Sequence, residues 1–181
     1  MQLNKKVQDY LKTNEITLIV TFSRQQMVEP FFDAFNKIDM PRSRINLIIF
    51  DNTENNALHG LLQSKLSNLP FNKKDGFKSI YLHISGRKGG ATLLGMENKD
   101  FYKSKLNPIW EMWRDMIKLV KTPYFIVLED DTIVPKHAII KLLNDLFSLD
   151  NAGNITMTAF NTTYFNYTNS TMTIGYHNVS Y

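Results

Sequence analysis

Glu129-Asp130-Asp131 places three carboxylates in succession after the apolar run Tyr124-Phe125-Ile126-Val127-Leu128 and before Thr132-Ile133-Val134-Pro135. Adjacent like charges raise one another's pKa values and oppose folding unless a cation offsets them. Clustered carboxylate oxygens suit a hard divalent ion, Mg2+ or Mn2+. A solvated acidic turn is the plain alternative for an arbitrary Glu-Asp-Asp. Two neighbours favour a binding site. The apolar run has the length and character of a strand covered on both faces, and a helix led by Pro135 follows. In open α/β sheets, ligands collect beyond the carboxyl ends of the strands.

Two further apolar runs end in polar residues. Ile16-Thr17-Leu18-Ile19-Val20 leads into Thr21-Phe22-Ser23-Arg24, and Ile45-Asn46-Leu47-Ile48-Ile49-Phe50 leads into Asp51-Asn52. Each of these residues also has a plain structural reading. Asp51 at a strand end can cap the next turn, and Phe22 suits a core as well as a ligand platform. Arg87 and Lys88 lie in the glycine-bearing loop Ser85-Gly86-Arg87-Lys88-Gly89-Gly90, where paired charges are commonly solvated. The glycines at 86, 89, 90 and 95 match neither a dinucleotide fingerprint nor a P-loop. The four histidines, His59, His83, His137 and His177, show no i, i+4 pairing and no zinc signature.

Elements that position these residues follow from periodicity. A short helix is expected over Val7 to Leu11, then a strand over Ile16 to Phe22. Helical spacing of Met27, Val28, Phe31, Phe32, Phe35 and Ile38 predicts a helix from Gln26 to Ile38. A second strand over Ile45 to Phe50 is followed by a weakly capped helix from Ala57 to Leu66. A third strand spans Lys78 to Ile84. Pro108 opens a helix through Trp110, Trp113, Met116, Ile117 and Val120, where proline takes its favoured first position. The fourth strand delivers the acidic triplet, and a helix runs from Pro135 to Leu149. Alternating strands and helices imply a three-layer α/β/α fold with a mostly parallel sheet and right-handed crossovers. After Asp150 the chain turns rich in Thr, Asn and Tyr with loose period-two alternation, and Asn169-Ser170 marks a candidate hairpin turn.

The chain has 181 residues, 43% hydrophobic and 21% charged, which suits one soluble domain with a single core. Within it, 1–150 reads as the α/β core and 151–181 as a β-rich annex. No run reaches the ~20 apolar residues of a membrane span. The polar start lacks the apolar stretch of a signal peptide. Zero cysteines exclude disulfides and thiolate metal sites and fit a reducing compartment, so a cytoplasmic setting is expected. The net charge of +4 comes from scattered pairs, which leave room for a phosphate-bearing ligand or an anionic membrane surface but argue against nucleic acid. Asn-x-Ser/Thr triplets crowd the tail, but an Asn- and Thr-rich segment produces them by chance.

With its strand ends in this order, the chain resembles the family-two-like glycosyltransferases of the GT-A, nucleotide-diphospho-sugar transferase fold. Val20-Thr21-Phe22-Ser23-Arg24 stands where the family has a Pro-Thr-Tyr-Asn-Arg-like run. Asp51-Asn52-Thr53-Glu54 stands for its Asp-Asp-Gly-Ser-like segment, and Glu129-Asp130-Asp131 for its Asp-x-Asp metal motif. Trp113-Arg114-Asp115 through Thr122-Pro123-Tyr124 is similar to the helix that enters that strand. The resemblance runs from Ile16 to about Leu149.

It implies a metal-dependent, inverting transfer of sugar from a nucleotide-diphosphate-sugar, a UDP-sugar first among them, to an unknown acceptor. It further implies Asp131 as metal ligand, Asp130 assisting at the ion or its waters, and Glu129 on the ribose side. Asp51, with Asn52 beside it, would accept the base imide N–H, and Thr21 and Phe22 would adjoin the base. Arg24, Arg87 or Lys88 would stand near the phosphates. The chain departs from the pattern in its first motif residue, Glu for Asp, and in having no Asp or Glu after Asp150, where relatives carry a catalytic base. A non-catalytic nucleotide-sugar-binding module, or a donor half needing a partner, is therefore the second reading. A phospho-aspartate phosphatase ranks third, because it needs an Asp nucleophile where Glu129 stands.

Overall fold

Strand β1 (Ile16–Phe22) is built mostly of β-branched residues, and all seven of its residues are buried. It is central in a sheet of order β3-β2-β1-β4, with β2 at Ile45–Asp51, β3 at Ser79–Ile84 and β4 at Phe125–Glu129. Every pairing is parallel. The computed structural model describes residues 1–53, 55–71, 75–85 and 111–148, with the backbone of 163–165 and 172–173. Two compact units emerge, one of Ile16–Val28 and Arg42–Asp130, the other of Met1–Glu15, Glu29–Pro41 and Asp131–Tyr181.

The first unit holds the sheet and two helices that cover it. Helix α3 (Asn56–Ser67) is capped by Asn55, whose side chain accepts from the amides of Ala57 and Leu58. The cap is stronger than the sequence suggested. Leu58 and Leu62, one turn apart, are fully buried. Helix α4, described over residues 111–119, packs on the face carrying Ile19, Ile48 and Phe50, with Met116 buried among them. Met112, Trp113, Leu119, Val120 and Val127 surround that cluster. Helix α3 lies on the opposite face, where its His59 meets Asp51 of β2. The result is the expected α/β/α layering. Such crossovers place consecutive helices according to the right-handed rule.

Strand β4 departs from expectation. It pairs only with β1 among the described residues, and Phe125 and Glu129 are exposed while Leu128 is buried. A run that reads as doubly covered is partly exposed and paired on one side among the described residues, since hydropathy reports apolar content and not which neighbours arrive.

The second unit joins helix α1 (Lys5–Thr13), most of helix α2 (Val28–Phe35), strand β5 (Thr132–Ile133) and helix α5 (Ala138–Ser148). Asn4 caps α1 at Val7 and is itself bound by Asn144 of α5, through its amide to Oδ1 at 2.8 Å. Tyr10 and Phe147 bring the two helices together with ring centroids 4.9 Å apart. In α2 a proline in the first turn is tolerated, where the missing N–H has no intrahelical partner, and Phe31, Phe32 and Phe35 are buried. Strands β5, β6 (Thr163–Phe165) and β7 (Met172–Thr173) form an antiparallel sheet, with Phe165 opposite Met172. Asn169-Ser170, the candidate hairpin turn, lies outside the described residues. No described helix is long and apolar enough to cross a membrane.

Met116 and its neighbour Ile117 separate core from surface on α4: Met116 is 0% exposed and Ile117 53%. Met116→Ala is expected to cost about 2–5 kcal/mol through lost transfer energy and a residual cavity. Ile117→Ala should stay within about 0.5 kcal/mol. Urea unfolding of both variants checks the contrast.

Candidate functional site at the strand ends

A parallel sheet delivers all its carboxyl ends to one edge, so the polar residues that end β1, β2 and β4 become neighbours. Register sets Phe22 beside Asp51 and Thr21 beside Glu129. The tips are then laced by hydrogen bonds. Asn52 donates its amide to the Phe22 carbonyl at 2.9 Å, and Ser85, just past β3, donates its amide to the Asp51 carbonyl at 2.9 Å. Ser85 Oγ also reaches Asn52 Oδ1 at 3.3 Å. Thr21 Oγ1 makes a long contact with the Leu128 carbonyl at 3.5 Å.

Asp130 closes the β1–β4 side. Its Oδ2 accepts the amides of Ser23 at 2.9 Å and Arg24 at 3.0 Å. Its Oδ1 accepts Arg24 Nε at 3.1 Å and also Arg24 Nη2. The Asp130 side chain is 2% exposed against 25% for Arg24.

Asp51 is fully buried. Its Oδ1 accepts the Thr53 amide at 2.9 Å and the Thr53 hydroxyl at 2.7 Å, a turn that bends the chain away from β2. Its Oδ2 lies 3.0 Å from His59 Nε2. Burial lifts the Asp51 carboxyl above its ordinary value of 3.8, while the Thr53 bonds and the nearby His59 pull it down less strongly.

Of the sequence-predicted residues, Thr21, Asp51, Asn52, Glu129, Asp130 and Arg24 come together at this edge. Phe22 reaches it too, but its ring has no exposed surface. Asp131 follows in the turn into β5 and is half-buried. Arg87 and Glu54 lie outside the described residues. Sequence reasoning missed His59 and Ser85. His59 had a signal: the helix starting after Asn55 returns its first turn to the strand tip that Asp51 ends. Among the described residues, no three His, Asp or Glu side chains gather as a ready cation cage.

No family model matches the chain, and no curated protein matches it. Among solved structures it is similar to the mannosyltransferase PcManGT from Pyrobaculum calidifontis, in complex with GDP-Man and Mn2+. The likeness has a TM-score of 0.50 at 12% identity and covers 81% of this chain and 39% of that one. The chain thus spans about two fifths of the length of the protein it matches. The likeness shows a glycosyltransferase-like α/β fold and does not single out the family-two-like branch.

The Asp51 environment has a pH consequence. Because its folded value is raised, the unfolded chain releases this proton first as pH climbs. Its contribution to stability is therefore present below about 3.8 and lost as pH rises through the raised folded value. Asp51→Asn keeps an acceptor for Thr53 and has no such proton. Urea midpoints taken from pH 4 to 7 should fall more steeply for the native protein than for the variant; parallel curves would refute this.

Proposed function

We propose that this chain binds a nucleotide-diphosphate-sugar and acts as a glycosyltransferase, passing the sugar to an acceptor hydroxyl with the help of Mn2+ or Mg2+. The observation that carries the reading is the gathering of Thr21 to Arg24, Asp51-Asn52 and Glu129-Asp130 at adjacent carboxyl ends of one parallel sheet. The neighbour of like fold, solved with GDP-Man and Mn2+, supports a nucleotide-sugar donor and a divalent cation. UDP-sugars are the donor class the family resemblance favours. That resemblance also supports inversion at the sugar carbon.

When bound, a divalent cation would offset the charge that develops on the departing diphosphate, an effect larger in the transition state than in the ground state. Asp131 is proposed as its protein ligand and Glu129 as the group toward the ribose. Asn52 and Asp51 are proposed for the base, with Asp51 offering Oδ2 once His59 yields it. Phe22 supports that floor from within the core, beside Thr21. Arg24 holds positive charge at the crevice, and Arg87 is proposed for the phosphates. The absence of cysteine agrees with a cytoplasmic setting.

The second reading is a nucleotide-sugar-binding module without transfer, or a donor half completed by a partner. Binding of a radiolabelled UDP-sugar or GDP-Man without transfer or hydrolysis would select it.

Thermal unfolding with UDP, GDP or their sugars, with and without Mn2+, tests the main reading. At a hundredfold excess over Kd, ligand binding adds about 2.7 kcal/mol. A Mn2+-dependent rise in Tm is expected with at least one nucleotide. Asp131→Ala should abolish that rise while leaving the ligand-free Tm unchanged. No response to any nucleoside diphosphate would refute the proposal.

A further inference from the structure

Asp130 occupies the middle of the acidic triplet, yet its carboxylate turns back onto the end of β1 and is 2% exposed. An ionised carboxylate offers about four acceptor positions. Two backbone amides, from Ser23 and Arg24, fill those of Oδ2, and two guanidinium N–H groups of Arg24 fill those of Oδ1. Every donor in this set is positive or the positive end of a dipole. A cation at Asp130 would have to displace one of them and lie against the rest, so Asp130 does not fit as a ligand.

We infer that Asp130 is a positioning residue and not a metal ligand: it locks the Ser23-Arg24 turn at the end of β1 to the end of β4. Its charge is met by Arg24, which withdraws it from the acids of the triplet that a cation could use. The lock stands on geometry whatever the ligand is. Its consequence for nucleotide affinity rests on the proposed transferase reading, because the turn it holds is part of the proposed donor site. Two amides deprived of their acceptor at a part-buried turn would be costly, which is why the turn stays closed while Asp130 is present.

The experiment combines a double-mutant cycle with direct binding. Asp130→Ala and Arg24→Ala should each lower Tm by about 5 °C or more, and the double variant should fall far short of their sum. Should an alanine variant fail to fold, Asp130→Asn and Arg24→Gln replace the pair. Binding is then read below the Tm of each variant, Mn2+ by electron paramagnetic resonance and UDP or GDP by calorimetry. Asp131→Asn should weaken Mn2+ binding at least about tenfold by removing a ligand charge, while Asp130→Asn changes it less than about threefold, as a screened remote charge does. Asp130→Asn should nonetheless weaken nucleoside diphosphate binding roughly tenfold, since the turn is no longer held in place. A purely structural acid would leave nucleotide affinity in the folded variant unmoved. Additive Tm losses, unmoved nucleotide affinity, or equal Mn2+ losses in the two Asn variants would overturn the inference. If the native protein binds neither Mn2+ nor any nucleotide, the transferase reading fails and the Tm cycle decides: coupling upholds the lock, additivity overturns it.

Discussion

A buried strand must end somewhere, and the way β1 ends organises the edge where chemistry is expected. All seven residues of β1 are buried and both its flanks are paired, and the amides of Ser23 and Arg24 that follow it emerge part-buried. Unsatisfied buried N–H groups are costly. The amides of Ser23 and Arg24 are met by one carboxylate, Asp130, which arrives from the end of the neighbouring strand. Arg24 then returns its side chain to the same acid and neutralises it. One residue thus completes the hydrogen bonding of β1, fixes the turn after it, and ties two strand tips together.

The same logic repeats across the edge with weaker groups. Asn52 continues the ladder from β2 to β1, and Ser85 continues it from β3 to β2. Asp51 is held by Thr53 on one oxygen and approached by His59 on the other. The polar tips therefore form a braced rim, which suits a site that must hold a charged ligand without reorganising as it binds. Bracing also carries a cost: carboxylates committed to the backbone are withdrawn from direct ligand contact.

Much of the fold was readable from residue types. The run Ile16 to Phe22 matches β1 to the residue because β-branched and aromatic side chains were bounded by polar ones on both sides. Apolar spacing located α2, α4 and α5, although the ends of α2 and the start of α5 moved by a few residues. The parallel topology followed from strand–helix alternation, which leaves few other ways to cover both faces. Asn55 as the cap of α3 was harder to see, because the run Asn52 to Asn56 offers several residues able to cap and hydropathy does not rank them. The exposure of β4 was not readable at all, since a covered strand and a partly exposed one can carry similar apolar content.

The candidate site divides along the same line. Local sequence placed Thr21, Asp51, Asn52 and the acidic triplet at strand ends, because polar residues that interrupt an apolar run mark where a strand leaves the core. Partnership was beyond it. Asp130 and Arg24 are separated by 106 residues, as are no two groups a local window can compare, and His59 reaches Asp51 only because α3 folds back over the face that Asp51 shares. Residue type and order establish which groups stand at the rim. Which of them face one another, and which are consumed in holding the rim together, depends on distances that come into being only when the sheet and its helices pack.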